Sequence, residues 1–275
     1  MTAVILSETT DLGRGGSTAK YLAFVRLGFA SSRAEPAEHY SRILFVFVIL
    51  GVFWSLWRAV AATGANVGGD ANTLVWYLAM TEWVLMSAPQ VQFRIEDDVR
   101  RGDVAYQIVR PASYLGAHFA EGIGAFAARA PVLLAAVCVA GWTFGGVPAH
   151  PLAIARAIAF GSVASVVLTA YNVVLGLTAF WLGDIAPVYW IWQKLTFVLG
   201  GLLLPLPLYP DLVVRIARLT PFPAMLAGPA SFVLDVPFFR PGVLAVALIL
   251  WSAVAASIAV ATFRTITRRL QLNGG

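Results

Sequence analysis

Long apolar stretches alternating with short polar ones set the plan of this 275-residue chain. Six of them lie at about 43–62, 72–92, 117–142, 153–181, 186–206 and 242–263. Each is close to the roughly 20 residues that a helix needs to cross a bilayer. The fourth is long enough to tilt or to begin as an interfacial turn. Strands of a transmembrane barrel would alternate polar and apolar residues over about ten positions. These segments instead run apolar on all faces. The expectation is an all-α membrane protein with six transmembrane helices.

Two other regions carry a different pattern. From Ser17 to Arg33, the residues Tyr21, Phe24, Val25, Gly28 and Phe29 recur at helical spacing, with Lys20, Ala23, Arg26, Ala30 and Arg33 on the other side. Such a helix can lie in the headgroup plane with its basic face toward phosphate. It serves either as a plain anchor or as a brace for a partner subunit. Glu35-Pro36 ends it, because proline disfavours helical geometry in the residue before it. The expected division is a disordered cytosolic tail at 1–16, an interfacial amphipathic helix at 17–35 and a transmembrane domain at 36–275. After the fifth span, Gly200 to Pro210 is apolar but broken by prolines, and Pro221-Phe222-Pro223 and Gly228-Pro229 follow. Irregular backbone at membrane depth is tolerated only when it is buried in protein or lines a cavity. About 205–241 therefore reads as an outer cap, a short re-entrant hairpin of small helices that gates a pathway or closes the bundle.

Composition agrees: 59% of residues are hydrophobic and the mean hydropathy is +0.79. The first 16 residues show no apolar core followed by a small-residue cleavage site, so no signal peptide is visible. The single cysteine, Cys138, falls in the third span, which excludes an intrachain disulfide and leaves it a packing role.

Charge sets the orientation. Arg14, Lys20, Arg26, Arg33 and Arg42 precede the first span. Arg94, Arg100, Arg101 and Arg110 lie between the second and third, and Arg264, Arg268 and Arg269 follow the sixth. With six spans all of these face one side, which places both termini in the cytoplasm. Arg58, Arg156, Arg215, Arg218 and Arg240 occupy the other side. The pI of about 9.7 thus reflects topology and anionic lipid rather than nucleic acid.

The charge concentrates in one loop, at about 93–116. Only 12% of the chain is charged, yet Glu96, Asp97, Asp98, Arg100, Arg101 and Asp103 fall within eight residues. Asp97 stands at i, i+3 and i, i+4 to Arg100 and Arg101, so opposite charges can meet on one short helix. Gly102 suits the left-handed geometry of a helix end, and Asp103 suits the start of the next helix. Two short helices meeting at a glycine would form a rigid knob standing off the membrane, suited to contact with a soluble protein.

Catalytic chemistry is hard to place. His39, His118 and His150 sit in separate regions, and neither a nucleophile elbow nor a phosphate-binding Gly-Lys-Ser/Thr loop is present. The chain is therefore expected to bind no cofactor and not to be an enzyme. Four ionisable residues fall inside spans, where burying charge is expensive: Glu82, Glu121, Arg129 and Lys194. Glu121 and Arg129 lie about two turns apart on one helix and can share a face without touching. Glu82 and Lys194 suit an interhelical pair or interfacial snorkelling. Trp54, Trp57, Trp76, Trp181, Trp190 and Trp192 mostly mark span ends. Tyr189, Trp190 and Trp192 could instead line an apolar surface between subunits.

The run Val99-Arg100-Arg101-Gly102-Asp103-Val104-Ala105-Tyr106-Gln107-Ile108-Val109-Arg110-Pro111 resembles a signature of the permease subunits of bacterial ABC type-2 exporters. The resemblance extends from about residue 20 through the six-span plan to the Pro-Phe-Pro-Ala and Gly-Pro-Ala runs. It implies a permease that pairs with separate ABC ATPase subunits, which carry the ATP and Mg, and with a second permease chain, identical or paralogous. It also implies that the loop is a coupling helix seated on the ATPase, with Arg100, Arg101, Gly102, Asp103, Tyr106 and Arg110 carrying over by position. Asp184, in the short turn Leu182-Gly183-Asp184, is the natural second contact. The cargo expected is a small amphiphilic, drug-like, peptide or lipid-like compound. An ion-gradient-driven transporter or channel and a non-transporting membrane scaffold stay open as alternatives.

Overall fold

The computed structural model describes residues 17–64, 70–108, 112–148, 151–234 and 237–273. The tail expected at 1–16, together with Arg110, Pro111 and His150, lies outside them. Among the described residues all regular structure is helical. In chain order the helices are α1 (Ser17–Arg33), α2 (Pro36–Ala62), α3 (Ala71–Ser87), α4 (Val91–Arg101), α5 (Val104–Ile108), α6 (Tyr114–Gly145) and α7 (Pro151–Leu177). They continue with α8 (Ala179–Leu182), α9 (Ala186–Leu199), α10 (Asp211–Arg218), α11 (Phe222–Met225), α12 (Ala227–Ala230) and α13 (Pro241–Asn273), with 3-10 turns at Leu206–Leu208 and Ser231–Val233.

Four helical runs are long and apolar enough to cross a membrane: Pro36–Ala62, Tyr114–Gly145, Pro151–Leu182 and Pro241–Arg268. The other two spans expected from sequence correspond to shorter helices. α3 has 17 residues and α9 has 14, about 26 and 21 Å at the helical rise, against a hydrocarbon core of about 30 Å. Local chemistry explains the shortening. The stretch at 72–92 is interrupted at Ala88-Pro89, where Ala88 turns extended, as a residue before proline must. The stretch at 186–206 ends at Gly200-Gly201, and Gly201 takes a positive φ.

α3 is the centre of the bundle, buried almost throughout from Leu74 to Val84 and wrapped by α2, α6 and α7. Small residues on the neighbours receive its two large rings. Trp76 lies over Gly141 and Gly145, and Trp83 lies against Gly161. Their indole N–H groups donate to the carbonyls of Gly146 and Ala130, the partner a buried indole requires.

The end of α3 lies inside the protein, so its last carbonyls need partners. Ser165 Oγ of α7 donates to Val84 O at 3.1 Å and Arg42 of α2 donates to Met86 O at 2.7 Å. Asn172 Nδ2 satisfies the Pro89 carbonyl in the break itself, at 3.0 Å. The irregular chain after α9 is treated the same way. Tyr77 donates to Gly201 O, and Thr81 donates to Leu202 O at 3.0 Å.

The region expected as an outer cap divides in two. α10 is a surface helix, with Leu212 and Ile216 exposed, as is Leu219 just after it. Residues 222–232 are instead driven into the main core, where Met225, Leu226 and Ala230 are fully buried against α3, α7 and α13. This segment is almost wholly apolar, and the prolines keep it in short turns that fill space no straight helix could.

α1 turns its buried side, Gly28 and Ser32, onto α6 rather than onto lipid alone. The two helices run side by side, from Tyr21 beside Ser113 to Ser32 beside Arg129. Backbone meets backbone here: a Cβ on Gly28 would lie 1.9 Å from the Glu121 carbonyl oxygen, and one on Gly124 1.8 Å from that of Val25. Only glycine permits that approach.

Candidate functional site

The charged loop folds as two helices joined at a glycine. α4 ends at Gly102, whose φ of 75° is left-handed. The Gly102 N–H donates to Val99 O and the Asp103 N–H to Asp98 O at 2.9 Å, the paired bonds of a glycine-terminated helix. Asp103 then starts α5 with its backbone carbonyl, which accepts from Tyr106 and Gln107.

One face of this elbow is fixed to the bundle. Val91, Ile95 and Val104 join a small hydrophobic cluster with Tyr114, Val173, Leu177, Ala259 and Ile266, drawn from α6, α7 and α13. A Cβ on Gly176 would lie 2.8 Å from the Ile95 side chain, so α4 sits directly against α7. Polar contacts reinforce the seat. Tyr114 donates to Asp98 Oδ2 at 3.2 Å, and His118 Nε2 lies 3.0 Å from the same oxygen. Partial burial opposes the charge on Asp98. The neighbouring His118, with hydrogen bonds from Gln107 and Tyr114, outweighs it and holds the carboxyl below the usual carboxylate range.

Arg100 links the elbow to the turn before α9. It pairs with Glu96 at 2.8 Å, donates to Gly183 O at 2.9 Å and approaches Asp184 to 3.7 Å. The predicted contact between Asp97 and Arg100 is thus replaced, and Asp97 faces Arg101 at 3.8 Å. The nominated residues therefore divide. Glu96 and Asp98 are structural anchors, and Arg100 bridges to Asp184. Asp97, Arg101, Gly102 and Tyr106 face outward, Tyr106 with 78% of its surface exposed.

A second polar centre joins α1, α2, α3 and α6. Glu38 accepts from Arg42 at 2.7 Å with one oxygen and from Arg129 at 2.8 Å with the other. Arg129 also donates to Ser32 Oγ. Nearby, Glu121 pairs with Arg94. The intramembrane candidates thus take different partners: Glu121 and Arg129 belong to separate ion pairs. Sequence reasoning passed over Glu38, although its i, i+4 spacing to Arg42 was visible.

Between α2 and α9 lies a cavity of about 720 Å³, floored by α3 and α7. Its walls are mainly apolar and aromatic, including Phe45, Phe53, Tyr189, Trp192 and Phe197. Glu82 opens into it from α3. Of the two arrangements expected for Glu82 and Lys194, an interhelical pair or interfacial snorkelling, the pair is not formed. Lys194 is exposed on α9, with its ammonium 5.2 Å from the rings of Trp190 and of Phe197 at the cavity's edge. The three aromatics Tyr189, Trp190 and Trp192 also separate, two facing the cavity and Trp190 facing outward.

The structure is thus a multi-pass helical bundle with a half-open, mainly apolar cavity in its side and a charged two-helix elbow seated on one end. Residues 69–274 match the model for the ABC-2 family transporter proteins, and the chain belongs to that family. The match runs from just before α3 to the end of α13. A search of curated proteins finds no match.

Proposed function

We propose that this chain is the permease subunit of an ATP-driven exporter in a bacterial cytoplasmic membrane. In this reading α3 and α9 complete six passes with the four long spans, and both termini are cytoplasmic. A separate ABC ATPase binds ATP and Mg, and a second permease chain completes the translocation unit. The cargo is a small amphiphilic, drug-like, peptide or lipid-like compound.

The observation that supports this reading is the two-faced elbow of α4 and α5. Its inner face is bonded to α6, α7, α13 and the turn before α9, while Asp97, Arg101 and Tyr106 present a surface to a soluble partner. Push the elbow and the helices behind it must follow, because Ile95 is locked against Gly176 and Asp98 against Tyr114. ATP binding would draw two such elbows together and bias the bundle between inward- and outward-facing states. A few kcal/mol of differential nucleotide binding suffices to shift such an equilibrium.

The test is purification of the tagged chain from native membranes in mild detergent, with nucleotide present. Recovery of an ABC ATPase in near-equal amount is the expected result, and a second permease band would reveal a heteromer. Flux that survives without any ATPase and collapses with an uncoupler would overturn the proposal in favour of a gradient-driven transporter.

A further inference from the structure

We infer that the cavity between α2 and α9 binds a lipophilic organic cation, held by the Glu82 carboxylate within an aromatic wall. The inference rests on the permease reading and names the class of its cargo.

Glu82 carries the argument. Only 3% of its surface is exposed, and that exposure is toward the cavity. Among the described residues it has no ion-pair or hydrogen-bond partner. A carboxylate at membrane depth without a counter-charge is costly, and such a group is driven towards its neutral form, so a cation that enters the cavity can displace the proton and supply the missing counter-charge. The other charged residues on the cavity wall are already engaged. Arg42 is turned to Glu38 and to the Met86 carbonyl, and Glu38 is shared with Arg129. The carboxyl left without a counter-charge on the cavity wall is that of Glu82.

The walls select the kind of cation. A hard metal ion takes six or more oxygen ligands, and of the two carboxyls on the wall Glu38 is already held in ion pairs, which leaves Glu82 alone. The remaining surface is mostly hydrocarbon and rings. Phe45, Phe53 and Trp192 can face a delocalised charge, which aromatic faces attract. Trp192 is held in place, stacked on Tyr171 at 5.2 Å and backed by Phe222 at 4.8 Å. The volume falls within the roughly 300–1,000 Å³ of small-molecule sites. A bulky cation whose charge is spread over apolar groups fits all these features.

Tetraphenylphosphonium and tetraphenylborate share one shape and carry opposite charge, so the pair isolates the role of Glu82. Equilibrium binding of each is measured to the full chain in lipid nanodiscs, with the subunits that accompany it. Tetraphenylphosphonium should bind, Glu82→Gln should weaken it tenfold or more, and Glu82→Asp should hold it within about threefold. Tetraphenylborate should bind Glu82→Gln at least as well as the parent. If Glu82→Gln does not fold, Trp192→Leu serves in its place and should weaken the cation alone. Equal cation affinity in parent and Glu82→Gln, or no cation binding by the parent, overturns the inference. ATP hydrolysis by co-purified ATPase is read in the same samples. Hydrolysis without cation binding would sink the inference and leave the permease standing. Glu82-dependent binding without any ATPase would do the reverse.

Discussion

Around the α4 end of the bundle, most acidic side chains are matched. Glu38 lies between Arg42 and Arg129, Glu121 takes Arg94, Glu96 takes Arg100, and Asp98 takes Tyr114 and His118. One turn along α3 from the carbonyl that Arg42 reaches, Glu82 faces a cavity with no partner among the described residues. The difference separates two uses of charge. Matched groups fasten helices to one another, and the unmatched one is left available to something that enters. Conventional sequence reading treats all of them alike, as charge in an apolar chain.

The comparison can be broken most severely at Glu38. Glu38→Leu strands two largely buried guanidinium groups, and losing one side of such a network costs about 2–4 kcal/mol. The expected result is a large drop in thermal stability in detergent. Replacing Glu38 and Arg129 by apolar residues and Arg42 by Gln should restore much of it, because no orphan charge remains and a donor is kept for the Met86 carbonyl. A triple variant as unstable as the single one would mean that the network does more than neutralise charge.

Next in size is Gly28→Leu. Its side chain would collide with the backbone at Glu121, and overpacking of this kind costs about 1–3 kcal/mol. α1 should detach from α6 and become accessible to protease, while the core around α3 persists.

Asp98→Asn should cost about 1–2 kcal/mol through its weakened bonds to Tyr114 and His118. The sign of its pH dependence follows from the lowered carboxyl pKa. The stabilisation is fully present above the ordinary carboxylate range and fades as pH falls through the lowered value. Melting curves of parent and variant should therefore converge in acid and diverge at neutral pH.

The smallest effect on stability, and the sharpest on partners, belongs to Arg101→Glu combined with Tyr106→Ala. Both positions are exposed, so stability should change by less than about 0.5 kcal/mol. Recovery of the ATPase should fall at least tenfold. Full recovery would move the docking surface elsewhere.

Much of the architecture is written in local sequence. α2, α6, α7 and α13 follow from length and hydropathy, and the α4–α5 junction follows from a glycine between a charged helix and Asp103. The ends of α3 and α9 were harder to see. A window average passes over Ala88-Pro89 and Gly200-Gly201, although each breaks a helix. The partners of buried charge were illegible for a different reason. Glu38 and Arg129 are 91 residues apart, and helical spacing carries no information across that separation. The same blindness left open whether Glu82 was matched. Likewise, the apolar run at 222–232 reads equally well as a surface cap or as core, and only the space between α3, α7 and α13 decides.

The clamp of Tyr77 and Thr81 on the carbonyls of Gly201 and Leu202 bears on how the chain is made. A 14-residue apolar helix followed by unwound backbone is a poor candidate for entering lipid unaided, since each bare carbonyl there is expensive. The groups that satisfy those carbonyls sit more than 120 residues earlier, on α3. On these contacts α9 and the chain after it settle only once α3 is in place. Biogenesis acquires an order, in which an early helix acts as the template for a late one.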